Sequence, residues 1–299
     1  MLQKFRRIKS LKSRQRKSGK MCDERGKDML RSMYSGISGM KNFQTKLDVI
    51  GNNIANVNTY GFKKGRVIFK DLISQNVSGA SAPTGNRGGV NPKQVGLGSQ
   101  MASIDTMHES GSLQTTGRVL DLAIAGDGYF IVGDAAGQDQ SYTRAGNFYL
   151  DNNGNLVNGD GLFVLGQSTT PAAAFPSKIN VPSTATEMSI SKNGTVTYIN
   201  AGALVTAGQI MNAKFANTGG LQKTGNNLFK ITTNSGAPVR GFANTPGFGS
   251  IESSQLEMSN VDLSEEFTEM IVAQRGFQAN TRIITTSDEI LQELVNLKR

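Results

Sequence analysis

The sequence predicts an α+β fold: long N- and C-terminal helices form a coiled-coil-like pair, with a central antiparallel β-rich domain inserted between them. Three observations predict it. Apolar residues step at helical spacing near both ends of the 299-residue chain. Asn-Gly and Asp-Gly dipeptides punctuate the middle, between short β-branched and aromatic runs. Glycine is abundant at 35 residues against 7 prolines, which suits many tight turns better than a proline-rich disordered chain.

The first helix is expected over roughly 29–58. Met33, Ile37, Met40, Phe43, Leu47, Ile50, Ile54 and Val57 are spaced by three or four residues, an apolar seam with a period close to 3.5. Gly61, after Thr59 and Tyr60, is the expected stop.

The second helix is expected over 262–299. Asp262 is a suitable N-cap with Glu265 three residues on, and Glu265 and Glu266 complement the positive helix start. Leu263, Met270, Phe277, Ile284 and Leu291 recur every seven residues. Their expected companions, Phe267, Gln274, Thr281, Asp288 and Val295, are only partly apolar. Ile283, Ile290, Leu294 and Leu297 add a further apolar face. A helix apolar on more than one side needs several neighbours, and periodicity does not say whether these are its own domain or other copies.

Between the helices, residues 76–100 are rich in Gly, Ser, Asn and Ala and read as an irregular connection. Strands are expected at 119–125, 129–132, 148–150, 156–157, 162–165, 188–190, 196–199, 209–215 and 228–232. Asp127-Gly128, Asn153-Gly154, Asn158-Gly159, Asp160-Gly161 and Asn193-Gly194 supply the turns. The expected domains are a terminal helical domain (29–60 plus 262–299), connecting segments (61–118 plus 226–261) and a central β domain (119–225).

Residues 1–28 stand apart. They hold eleven basic and three acidic residues and the single cysteine, Cys22. The rest of the chain is nearly neutral, so nucleic-acid steering by the folded part is not expected. A basic arm binding nucleic acid is one reading of this segment. The other is a translated upstream region before a start at Met29, since Asp23-Glu24-Arg25-Gly26-Lys27-Asp28 can be encoded by purine-rich codons. No apolar stretch approaches the ~18 residues of a membrane span, so no membrane insertion is expected.

The search for chemistry yields no catalytic, cofactor or metal site. His108 is the only histidine, which leaves no His cluster for a metal and no second candidate for a triad. Neither Gly19-Lys20 nor Gly26-Lys27 continues into a phosphate-binding loop. The string Asp151-Asn152-Asn153-Gly154-Asn155 opens like a calcium loop. However, Leu156 replaces its glycine and Leu162 its bidentate glutamate.

Both ends then carry a resemblance. Leu47-Asp48-Val49-Ile50-Gly51-Asn52-Asn53-Ile54-Ala55-Asn56-Val57-Asn58-Thr59-Tyr60-Gly61-Phe62-Lys63 resembles the N-terminal signature of the flagellar rod and hook family. Leu256-Glu257-Met258-Ser259-Asn260-Val261-Asp262-Leu263, with Met270-Ile271-Val272-Ala273-Gln274-Arg275, resembles its C-terminal signature. Leu122 to Phe130 resembles the family's entry into its β domain. The start Met29-Leu30-Arg31-Ser32-Met33-Tyr34 is most similar to the hook branch in Bacillus-like bacteria, and residues 1–28 match nothing in the family.

The resemblance implies a non-enzymatic subunit of the hook, with the distal rod as the alternative. Such a subunit is exported by the flagellar type III apparatus without a cleaved signal. It polymerises with itself into a helical tube and meets other axial proteins: the distal rod, the hook cap and the hook–filament junction. The implied signature residues are Asn52, Asn53, Ala55, Asn56, Thr59, Gly61, Phe62, Ser259, Asn260 and Val261. The expected polymerisation interface is Met33, Ile37, Met40, Leu47, Ile54, Phe267, Met270, Phe277, Ile284 and Leu291. For the segment around Asn53 and Gly61 two roles stay open: fixing the path of the chain out of the helix, or helix termination alone.

Overall fold

A computed structural model describes residues 31–297 except 86, 135, 136, 138 and 169–175, with no side chain described for Leu294. The expectations for residues 1–28 lie outside the described residues. The chain divides into two compact units: unit 1 takes in residues up to 51, 67–104 and 267 onward, and unit 2 residues 52–66 and 105–266.

Helix α1 covers 31–55. Strands β1 (Gly65–Asp71), β2 (Ser74–Ser78), β3 (Lys93–Gly96), β4 (Ser99–Thr106) and β5 (Leu113–Thr115) follow. The main run of strands is β6 (Leu122–Ala125), β7 (Tyr129–Gly133), β8 (Gln140–Thr143), β9 (Tyr149–Leu150), β10 (Leu156–Val157), β11 (Phe163–Ser168), β12 (Ser177–Lys178), β13 (Met188–Ile190), β14 (Thr195–Asn200) and β15 (Ala203–Lys214). Then come β16 (Gln222–Gly225), β17 (Leu228–Lys230), β18 (Val239–Phe242), β19 (Ser250–Ser253), β20 (Gln255–Glu257) and helix α2 (Leu263–Asn296).

In unit 2 the principal antiparallel sheet has the order β13-β14-β15-β11-β7-β8-β17-β16. Strand β7 is buried along its whole length because successive side chains enter opposite faces. Phe130 and Val132 join Phe148, Val164 and Ile210 in one core. Tyr129 and Ile131 join Tyr142, Leu165, Met211 and Phe215 in the other. Turn chemistry follows the dipeptides: Gly154, Gly161 and Gly194 all adopt positive φ near +80°. Two shorter pairings, β19–β6 and β20–β5, carry the chain back beside its entry into the sheet.

In unit 1, residues 74–96 differ from the irregular connection expected. β2 and β3 pair as an antiparallel hairpin, and both are exposed along their whole length. Ser, Gln, Asn and Lys satisfy a solvated ribbon without the apolar alternation that marks a half-buried strand, so periodicity missed it.

The coiled-coil-like pair of long terminal helices is overturned. The described residues hold one N-terminal and one C-terminal α-helix, before and after the β-rich segments in sequence, and α1 ends at 55, short of the expected boundary. Within unit 1 the two approach through small residues rather than through layers of large apolar knobs. A Cβ on Gly36 would lie 3.3 Å from Ile284, one on Gly39 2.8 Å from the Asn280 side chain, and one on Gly276 2.5 Å from the Phe43 ring. The side chains of α2 that become buried are Glu266, Ala273 and Ser287. The companions of Met270, Phe277, Ile284 and Leu291 are therefore Ala273, Asn280 and Ser287, and the expected companion Phe267 is exposed. A coiled coil needs apolar residues at both core positions.

Candidate functional site

The signature residues at the end of α1 fall in unit 2, where they meet the chain returning from β20. Asn53 is buried, and its amide pairs both ways with the backbone of Gly65. Its Nδ2 donates to the Gly65 carbonyl at 2.9 Å and its Oδ1 accepts from the Gly65 N–H at 2.9 Å. The same Nδ2 lies 3.2 Å from each carboxylate oxygen of buried Glu266, at the start of α2. Asn53 thus joins the last turn of α1, the start of β1 and the first turn of α2. On the far side Asn260 does the equivalent work: Oδ1 accepts from the Lys64 N–H at 2.8 Å and Nδ2 donates to the Met107 carbonyl at 2.9 Å.

Asn56 and Thr59 act locally. Asn56 Nδ2 donates to the Asn52 carbonyl at 2.9 Å, and Thr59 Oγ1 donates to Asn56 Oδ1 at 3.1 Å. Gly61 is different. It lies beyond the helix end with φ +68°, and its N–H donates to the Glu257 carbonyl at 2.8 Å. A Cβ there would sit 2.5 Å from the Ala145 amide nitrogen and 2.7 Å from the Arg144 carbonyl carbon. Termination chemistry accounts for Asn56 and Thr59; it does not account for Asn53, Gly61 or Asn260. Asn52 and Ala55 are exposed, while Phe62 and Ser259 are buried. Val261 is half-buried and donates its N–H to Ser259 Oγ at 3.4 Å.

Under this polar framework lies a buried ion cluster. Lys63 Nζ is 2.6 Å from Glu257 Oε1, and Arg144 Nη1 is 3.2 Å from Glu257 Oε2; the three side chains are 0, 0 and 4% exposed for Lys63, Glu257 and Arg144. Lys63 also donates to the Glu109 carbonyl at 2.7 Å, and the Gly111 N–H donates to Glu257 Oε1 at 3.0 Å. Arg144 Nη2 donates to the Gly126 carbonyl at 2.8 Å. Burial lowers the Lys63 pKa, and the Glu257 carboxylate opposes that shift. Removing one partner from such a cluster strands the others in a low-dielectric interior at a cost of about 3–5 kcal/mol.

Lys63 and Glu257 belong to the two signatures, but nothing in their spacing pairs them across 194 residues. Arg144 escaped sequence reading altogether. The available signal was the presence of charged residues inside otherwise apolar or glycine-rich runs, which calls for a partner without naming it.

His108 packs beside this cluster, its ring centroid 5.6 Å from that of Phe229 and 6.1 Å from that of Tyr129. Its Nδ1 shares a 2.7 Å hydrogen bond with the Tyr129 hydroxyl, and its Nε2 is buried. Burial, with Lys63, Lys223 and Arg144 nearby, pushes the imidazole down to about 4. Burial pushes the Tyr129 phenol up to about 12. Both are neutral at physiological pH and serve as packing groups. Among the described residues no group of three His, Cys, Asp or Glu side chains is arranged to hold a metal.

In unit 1, Met33, Met40, Leu47, Met270, Phe277, Ile284 and Leu291 are half-buried, whereas Ile37 is 37% exposed. Ile54, in unit 2, is half-buried, and Phe267 is 49% exposed. Lys46 pairs with Glu269, and Thr281 Oγ1 approaches Met40 Sδ at 3.4 Å. The more exposed apolar positions of α2 include Ile271, Val272, Ile283, Ile290 and Val295. No helix among the described residues is long and apolar enough to cross a membrane.

Three family models match the chain. The flagella basal body rod protein model covers residues 33–63, the flagellar hook protein FlgE/F/G D1 domain residues 123–198, and the C-terminal model of the flagellar basal body rod FlgEFG proteins residues 252–297. The flagellar basal-body rod protein FlgG of Bacillus subtilis is 58% identical over 275 residues, covering 91% of this chain and all of that protein. FlgG of Agrobacterium fabrum is 39% identical over 265 residues, covering 87% of this chain and 97% of its own. The flagellar hook protein FlgE of Borreliella burgdorferi is 33% identical over 445 residues, covering 90% of this chain and all of that protein.

Proposed function

The chain belongs to the flagellar hook and basal-body rod family, a structural component of the flagellum, and on that premise we propose that it is a subunit of the distal rod. The observation that carries this is the end-to-end match to a rod protein at 58% identity over 275 residues. The match to a hook protein runs over 445 residues while taking in 90% of this chain, so a large part of that protein has no counterpart here. These matches favour the rod over the hook expected from the residues after Met29. The hook is the second reading, favoured by that same match to FlgE.

In this reading copies associate through heterologous contacts that build an open helical polymer. The exposed apolar side chains of the helices supply the driving force. Covering a residue such as Ile271, Ile290 or Phe267 contributes about 1.5–3 kcal/mol. The buried cluster of Lys63, Arg144 and Glu257 ties three segments of unit 2 together. Export through the flagellar type III apparatus and contacts with other axial proteins belong to the same proposal.

Electron microscopy of basal bodies from a deletion strain tests it. Rods lacking their distal portion are expected. Complete rods that lack only hooks would overturn the rod reading in favour of the hook.

A further inference from the structure

Unit 2 contains a cavity of about 140 Å³ between the N-terminal signature and the turn joining β16 to β17. Asn56, Phe62 and Lys63 line one side, and Lys223, Asn227 and Phe229 the other. It has room for several waters at ~30 Å³ each, or for one side chain. The turn is held in place: Asn227 Nδ2 donates to the Tyr60 carbonyl at 3.0 Å, and Thr143 Oγ1 donates to the Asn227 carbonyl at 2.9 Å.

Lys223 is the unusual wall. Its residue is exposed overall, yet its amine turns inward, donating to the Lys63 carbonyl at 2.9 Å and lying 5.0 Å from the Phe62 ring centre. Burial of the amine lowers its pKa. Among the described residues no carboxylate pairs with it. Glu257 is committed to Lys63 and Arg144, and Asp160 near the turn is engaged by Asn226 and Asn158. Lys63 and Arg144 thus take up Glu257, Lys223 meets a carbonyl and a ring but no carboxylate, and the neighbouring His108 is neutral.

We infer that this cavity receives an Asp or Glu side chain from a second copy of this chain. The methylenes of such a side chain would lie on Phe62 and Phe229, and its carboxylate would meet Lys223. The chain itself carries suitable groups: Glu187, Glu289 and Glu293 are exposed and have no cationic partner among the described residues. An amine without a carboxylate at the cavity and unpaired glutamates on the surface of the same chain are complementary in a homopolymer. The inference rests on the polymerising role proposed above.

Carbodiimide cross-linking followed by mass spectrometry tests it, on isolated basal bodies and on the soluble full chain. The expected result is an amide link from Lys223 to an Asp or Glu of this chain in the basal bodies and none in the soluble chain. Lys223→Glu should lower assembled particles by about tenfold or more, as loss of a close charge pair does. Reversing the linked acid to Lys in the same chain should restore them. A link of equal yield in the soluble chain, a link to a different protein, or a Lys223 still open to amine reagents in basal bodies would overturn the inference and leave the rod reading intact. Absence of the chain from basal bodies would overturn both.

Discussion

The junction in unit 2 and the helix pair in unit 1 solve opposite problems with the same kinds of residue. At the junction, glycine and asparagine draw polar groups into the interior until nearly all are used. Asn53 binds Gly65 and Glu266, and Glu257 binds Lys63, Arg144 and two backbone N–H groups. In the helix pair, Gly36, Gly39 and Gly276 bring the helices close, but the outer faces keep Ile271, Val272 and Ile290 in water. The first region ties its polar groups to one another within one chain. The second leaves apolar area in water. Buried polar networks specify one geometry, and exposed apolar faces specify association.

The contrast breaks most sharply at the ion cluster. Glu257→Ala leaves Lys63 and Arg144 buried without their carboxylate, and urea denaturation should show a loss of about 3–5 kcal/mol. An unchanged midpoint would mean that water reaches the cluster.

Gly61→Val comes next. The positive φ alone costs about 1–3 kcal/mol in a non-glycine residue, and the clash with the backbone of residues 144 and 145 adds to it. Motility should be lost, and thermal unfolding should occur at lower temperature. Gly51→Ala is the matched control, because a Cβ there meets nothing within 4 Å. It should be neutral or stabilise α1 by up to about 1 kcal/mol. Normal motility in Gly61→Val would mean that the position only ends a helix.

The third test uses pH. The folded-state pKa of His108 is depressed to about 4 from 6.5, so the unfolded chain binds the proton more readily between those values. Its contribution to stability is fully present above about pH 6.5 and is lost as pH falls toward 4. His108→Phe should flatten that limb of the melting-temperature profile relative to the wild type. Parallel profiles would show that other groups set the acid dependence.

The smallest effect on the monomer is expected in unit 1. Ile271→Ser paired with Ile290→Ser should change subunit stability by no more than about 0.5 kcal/mol each, since both side chains are already solvated. Assembly should suffer. Hydrogen exchange should show weak protection over 265–295 in free subunits and strong protection in basal bodies. Strong protection in free subunits would mean that the apolar face is covered within one chain.

Legibility followed physical range. The turns at Gly154, Gly161 and Gly194 were readable because positive φ is a property of a few adjacent residues. So was the start of α2, where Asp262 Oδ1 accepts from the Ser264 N–H at 2.8 Å. Strand β7 was readable because burial on both faces demands a continuous apolar run, whereas β15 was read only from 209 because its exposed start imposes none. The β2–β3 hairpin was missed because a solvated ribbon imposes no such pattern. The companion stripe of α2 was misjudged because Ala273 and Ser287 pack by being small, and a hydrophobicity count passes over small residues.

By itself, then, the sequence determined what depends on neighbours along the chain: two terminal helices, hairpin turns, a body nearly neutral in charge, and signatures specific enough to point to a family. Only the tertiary structure decided which charges meet, that Gly61 is required by the backbone at residues 144 and 145, and which apolar faces remain in water. Those outcomes depend on segments far apart in sequence approaching within a few ångströms, and no local pattern encodes that distance.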